Sequence, residues 1–334
     1  MKRWWPAVGL FFLAPFVGEF LLGNQSIAAF GWLFLFAPMY GGGAVLIRET
    51  ARRAGLGWTG IVLLAVAYAL LEEGPIDQML FNPAYLGLDS FAGFGEIPGL
   101  GLSVTLIQGT ITLHTIWSIC VPIALIEACA PSGPWLRRRG LVTVATVFVV
   151  GSTLLGVMQG IGFHFVASAA EFIGSAIVIL GLIALAFVLG RRTTRPVDGT
   201  VPRPLLVGLT GFAVTSTYWL EAVLFPDGLG SEWISVAWWF VLFGTATTVI
   251  VRWARRQAWT PRHTLALATG ALLTYCWSGF TQSRELDNTS LPVAFFGSAV
   301  FAVVAITVAL VAWARVRRVG EDLLPDLAPD PPQA

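Results

Sequence analysis

The sequence predicts an all-α, polytopic integral membrane protein: a helical bundle of about ten transmembrane helices with N-in and C-in topology. Three observations predict it. Of 334 residues, 56% are hydrophobic and 12% charged, against roughly 45–50% apolar in a soluble domain. Apolar runs long enough to cross a hydrocarbon core of about 30 Å recur from end to end. The basic residues, Lys2 and otherwise only arginines, cluster between alternate runs.

Ten runs read as spans, near 4–22, 26–47, 59–80, 103–129, 141–160, 170–190, 205–224, 233–251, 263–280 and 291–313. With the N-terminus inside, Lys2, Arg3 and the arginines at 48–53, 137–139, 191–203, 252–262 and 315–318 share the cytoplasmic face, and Arg284 alone falls outside. That is the positive-inside pattern, and Trp4, Trp5, Trp58, Trp135 and Trp253 at the inner boundary, with Trp233 at the outer, fit an interfacial belt. The first run lacks a small-residue cleavage site and is expected to be a retained helix. Residues 81–102 form the longest connection and are expected to act as a lid or re-entrant loop. A single transmembrane domain thus covers 1–320, and the acidic, proline-rich 321–334 is expected to be a disordered cytoplasmic tail. Cys120, Cys129 and Cys276 lie inside apolar runs as packing residues. Arginine in place of lysine, with abundant Ala and Gly, suggests a GC-rich bacterial genome, hence a multi-pass protein of the bacterial cytoplasmic membrane. The bilayer is its first partner, with a hydrophobic or membrane-embedded substrate expected and no nucleic acid.

An ionisable side chain near the bilayer centre costs about 2.5–3.5 kcal/mol on insertion scales, so each one in a span needs a reason. At about 1.5 Å per residue, Glu19, Glu72, His114 and Glu221 lie about 21–25 Å from the inner boundary, in one outer-leaflet layer. Residues three or four apart share a helix face. Thr110, His114 and Ser118 therefore form one stripe, flanked by Trp117; Ser168, Glu171 and Ser175 form another. Thr217 and Tyr218 lie a turn before Glu221, and Thr274 and Ser278 before Gln282. Such stripes are expected to line a shared polar cavity. Glu19, Glu171 and Glu221 also suit helix ends. Glu72 and Glu73 differ: they point about 100° apart on a helix, so they are not expected to share one small interface. Gly74-Pro75 breaks or kinks the helix behind them. His164 is expected on the outer turn between the fifth and sixth spans, and His263 at the cytoplasmic surface or in a helix cap.

Paired carboxylates beside a histidine suit three chemistries: activating a water, binding a divalent metal, or relaying protons. No H-E-x-x-H, G-x-S-x-G, glycine-rich phosphate loop or paired aspartate-rich motif is present, which argues against zincins, serine hydrolases, ATPases and membrane prenyltransferases. The order Glu72-Glu73, then His114, then His164 with Ser168 resembles the CAAX-protease and bacteriocin-processing family of intramembrane endopeptidases. That resemblance implies an intramembrane hydrolase acting on a peptide or lipid, with Glu72, Glu73, His114 and His164 activating water and Ser168 where an oxyanion-stabilising Asn or Asp stands in the family. This chain has Asp77 where the family has arginine, and Thr110 where it has an aromatic. Asp77, Trp117, Ser168 and Glu221 are the expected substrate contacts. No metal-ligand set is assigned, although a divalent ion at Glu and His stays open. Two alternatives stand beside the hydrolase. One is a proton- or ion-coupled transporter of a small molecule, for which kinked helices and buried acids are equally natural. The other is a lipid or terpenoid cyclase or isomerase using a protonated carboxylic acid.

Overall fold

A computed structural model describes residues 4–85, 95–97, 99–191, 196–224, 232–286 and 289–322. Among these, ten continuous helical runs follow one another: α1 Trp5–Leu21, α2 Ile27–Arg53, α3 Trp58–Ile76, α4 Val104–Cys129, α5 Arg138–Phe163, α6 Ala169–Gly190, α7 Pro204–Leu224, α8 Glu232–Ala254, α9 Pro261–Leu286 and α10 Leu291–Asp322. Each coincides with one expected run. Seven are long and apolar enough to cross a membrane, and α1 is apolar but shorter. Polar side chains start several of them: Ser26 accepts from the Ala28 amide, Ser103 from Leu106, and Ser168 with Glu171 makes a reciprocal capping box at α6, satisfying amides that a helix start leaves unpaired. In the long connection, Glu96–Ile97 pairs antiparallel with Leu102–Ser103. The Gly95 amide there donates to Glu232 at the start of α8. The expectation of a lid or re-entrant loop rests largely on 86–94, and that of a disordered tail on 323–334; both stretches lie outside the described residues.

Three helices widen into π geometry. α1 turns into a π helix over Phe16–Leu21, α3 over Glu72–Ile76 and α4 over His114–Cys120. Proline, which has no amide to donate, stands just before, within or just after each segment: Pro15, Pro75 and Pro122. Each wide turn also carries an ionisable residue. Only Gly74-Pro75 announced a break in the sequence.

The helices form an inner group and a lipid-facing sheath. α4 is the most enclosed, with 72% of its most apolar window buried, whereas α6 and α8 bury 11% each. α1, α2, α3, α9 and α10 pack round α4. On the sheath, Ile173, Ile177, Phe240 and Val241 are exposed, as side chains facing hydrocarbon should be. Helices approach closely where a glycine permits it: a Cβ at Gly270 in α9 would collide with the Gly208 carbonyl of α7. Small residues give helices in lipid their packing contact.

At the end of α2 the arginines are not free interfacial charges, as their place in the topology suggested. Arg48 is 1% exposed and pairs with Glu49 at 2.8 Å and with Glu127 of α4 at 2.9 Å. Arg52 forks onto both Glu127 oxygens at 2.7 and 2.6 Å. Glu49 takes Arg53 and the Trp135 amide, and the Arg48 guanidinium lies 3.4 Å from the Trp135 ring centroid. This buried network closes one end of the bundle.

Candidate functional site

The broken turn of α3 presents Glu72 and Glu73, and that of α4 presents His114, all three buried. The His114 ring stands between the two acids: Nε2 is 2.9 Å from Glu73 Oε1, and Nδ1 is 3.0 Å from Glu72 Oε2. Ser118, one turn along α4, sits 3.2 Å from Nδ1. Adjacent glutamates were expected to need separate interfaces. They share one because the imidazole carries a nitrogen on each side and the π turn re-aims the two side chains.

Nε2 shares a hydrogen bond with Glu73, and Nδ1 shares one with Ser118 while Glu72 lies beside it as an ion-pair contact. Both Glu72 oxygens and Glu73 Oε2 are enclosed without a well-formed hydrogen bond among the described residues. Buried polar groups rarely stay unpaired, and those that do call for a functional or structural reason.

Two further acids join. Glu19, on the broken end of α1, accepts from the Tyr40 hydroxyl at 2.5 Å, and the Tyr40 ring lies 5.9 Å from that of His114. The other Glu19 oxygen takes the Asn24 amide at 3.4 Å, and Asn24 in turn accepts from Gln282 of α9 at 3.3 Å. A polar ladder thus leads from the acids to the ends of α1 and α9. Asp77 is half-buried and close enough to act electrostatically on Glu73, Glu72 and Glu19. Gln78, held at φ 58°, accepts the Ala167 amide at 2.7 Å and anchors the broken turn to the α5–α6 connection. In the other direction, Tyr40 is eight residues from Arg48, about 12 Å along α2. Ala44 and Val45 between them are wholly buried.

Glu72, Glu73, His114 and Asp77 therefore come together, and Glu19 with them. His164 does not: it is exposed, in the left-handed conformation that ends α5, with φ 50°. Ser168 and Glu171 are occupied in the exposed capping box of α6. Trp117 lies behind His114, donating to the Ala271 carbonyl and stacked on Tyr275 at 4.2 Å. Glu221 accepts from Ser235 and ties α7 to α8, away from the clasp. Thr274 hydrogen-bonds Thr215 and Ser216, a hydroxyl seam between α7 and α9. The expected single polar cavity is thus a compact acid cluster plus separate interhelical seams. Equal depth did not imply equal azimuth. His263 sits at the start of α9, its Nδ1 taking the Thr260 amide, as a cap. Among the described residues no three His, Cys, Asp or Glu side chains form a metal-holding group, and His114 turns both ring nitrogens to other side chains.

Sequence reasoning missed Tyr40, Asn24 and the Glu49–Glu127 network. Tyr40 had a signal, since a phenol in mid-span needs a partner. Glu49 and Glu127 lay beside span ends, where charges attract no notice.

A sequence model described as an uncharacterized membrane protein family matches residues 10–321. Human monocarboxylate transporter 11 is 26% identical over 239 residues, covering 67% of this chain and 47% of that protein. The chain thus spans about half the length of this curated relative. No solved structure matches. Neither finding leads to the intramembrane endopeptidases, so the resemblance read from Glu72-Glu73, His114, His164 and Ser168 is withdrawn. The geometry gives the reason: the last two members of that pattern terminate and cap helices.

Proposed function

The chain belongs to this family of uncharacterized membrane proteins, and from that premise we propose that it is a proton-coupled transporter of a small neutral or cationic molecule. The observation that carries the reading is the Glu72–His114–Glu73 clasp, set where three helices lose α geometry together. Buried acids in spans are costly and mark ion or proton pathways. Broken helices lining a site within the membrane are the architecture by which secondary transporters bind cargo and coupling ions. The polar ladder through Glu19, Asn24 and Gln282 offers protons a path on one side, and packed apolar residues above the Arg48 network close the other.

Charge decides the cargo's sign. The relative's name refers to monocarboxylates, and an anion here would face Glu19, Glu72, Glu73 and Asp77 across one imidazole. A neutral molecule or a cation meets no such repulsion. When a proton leaves the clasp, its charge becomes more negative by one and a cation replaces the proton favourably; when a proton returns, the cation is released. Such an exchange couples cargo in one direction to protons in the other.

Proteoliposomes loaded with a pH-sensitive dye test this. Cations and neutral solutes are added one at a time, and at least one is expected to change internal pH in the wild type and not with His114→Ala. If folded wild-type protein moves no protons beyond protein-free vesicles with any solute, the transporter reading fails.

A further inference from the structure

On the other flank of the broken turn of α3, that helix and α5 leave a groove of about 640 Å³, within the range of about 300–1,000 Å³ common to ligand sites. Leu71, Pro75 and Ile76 form one wall, and Phe148, Ser152 and Val157 the other. We propose that this groove binds the hydrocarbon chain of the transported molecule, so that the cargo is a single-chain amphiphile reaching the acids from the lipid. The inference rests on the transporter reading and narrows its substrate class.

Three features argue for a chain from the lipid phase. The rims continue the lipid-facing surface: Val149, Val157, Ile161 and Val166 are all exposed. From Phe148 to Ile161 the groove follows α5 for about 20 Å, enough for a chain spanning one leaflet of a core about 30 Å thick. No charged side chain lines it, and its polar lining residues, Gln78, Ser152 and Thr153, are neutral, so it offers no countercharge to a cationic end and suits the apolar one.

Position links the groove to the acids. A Cβ at Gly156 would lie 3.4 Å from the carbonyl of Ile76, the last residue of the broken turn. A chain lying here therefore touches the segment that presents Glu72 and Glu73 on its other flank.

The test uses the full chain in phosphatidylcholine nanodiscs with a dodecylamine bearing a mid-chain diazirine. After photolysis, adducts are expected on 71–78 and 148–161, competed by dodecylamine and not by methylamine. Gly156→Leu and Gly160→Leu should each abolish them. The Gly160 change provides the safeguard for folding, because a Cβ there meets only the Phe165 carbonyl at 3.6 Å, an ordinary contact. Adducts spread evenly over the lipid-facing side of α6 as well, or surviving in both leucine variants, overturn the proposal. Glu73→Gln separates the two readings, since it should abolish proton movement and keep the adducts. Groove labelling without proton movement in the wild type overturns transport and leaves chain binding standing. Proton movement without groove labelling overturns the groove alone.

Discussion

Glu73→Gln changes one atom of the clasp and leaves its shape. In the wild type, Glu73 Oε1 holds His114 Nε2 at 2.9 Å. A hydrogen bond to a charged group contributes about 1.5–3 kcal/mol and a neutral one about 0.5–1.5 kcal/mol, so the amide should cost about 1–1.5 kcal/mol at that contact. Removing a charge from a buried site relieves desolvation, which offsets part of that loss. The net change in stability is thus expected to be about 1 kcal/mol or less. The functional change is of another size. Glutamine neither takes up nor releases a proton, so the clasp loses one of the two acids that flank the imidazole, and solute-driven proton movement should disappear. Thermal unfolding in detergent reads the first quantity and dye-loaded proteoliposomes the second. A variant that melts like wild type and still moves protons at the wild-type rate would refute the assignment of the proton to this clasp.

Tyr40→Phe leaves Glu19 with Asn24 as its remaining hydrogen-bond partner among the described residues; unfolding should show a loss of about 1–3 kcal/mol, and proton movement should slow. Glu127→Ala takes from Arg48, which is 1% exposed, one of its two carboxylate partners and leaves it Glu49; losing a hydrogen bond to a charged group costs about 1.5–3 kcal/mol, and the melting temperature should fall even at high salt because the pair is shielded from it. His164→Gly places the residue best suited to a left-handed helix end where φ is 50°; stability should rise or hold within about 1 kcal/mol, with proton movement unchanged.

The positions of the helices were legible because a span is a one-dimensional property. A run such as 172–190 carries no charged residue and Ser175 as its one polar side chain, and length against membrane thickness settles it without any partner. The ionisable residues were legible for the same reason: Glu72, Glu73 and His114 stand out wherever they point, because each charge in hydrocarbon is costly. The pattern that joined His164 and Ser168 to them misled, since a linear order of acids and histidines is equally produced by a helix end and a capping box. The arginines at 48–53 misled more mildly. Topology needs only their side of the membrane, and they also build a buried network with Glu127, 75–79 positions away in the chain.

By itself, then, the amino-acid sequence determined a multi-pass helical membrane protein, its ten helical runs and the residues that needed explaining. Only the tertiary structure decided which of those residues meet. Depth along a helix follows from counting, but azimuth around it depends on local winding and on neighbouring helices. Three π turns rotate Glu19, Glu72, Glu73 and His114 onto one another, while equally deep Glu221 turns to Ser235. A proline at each segment marks where the winding changes, but which side chains then meet depends on how helices distant in sequence pack, which residue spacing does not encode.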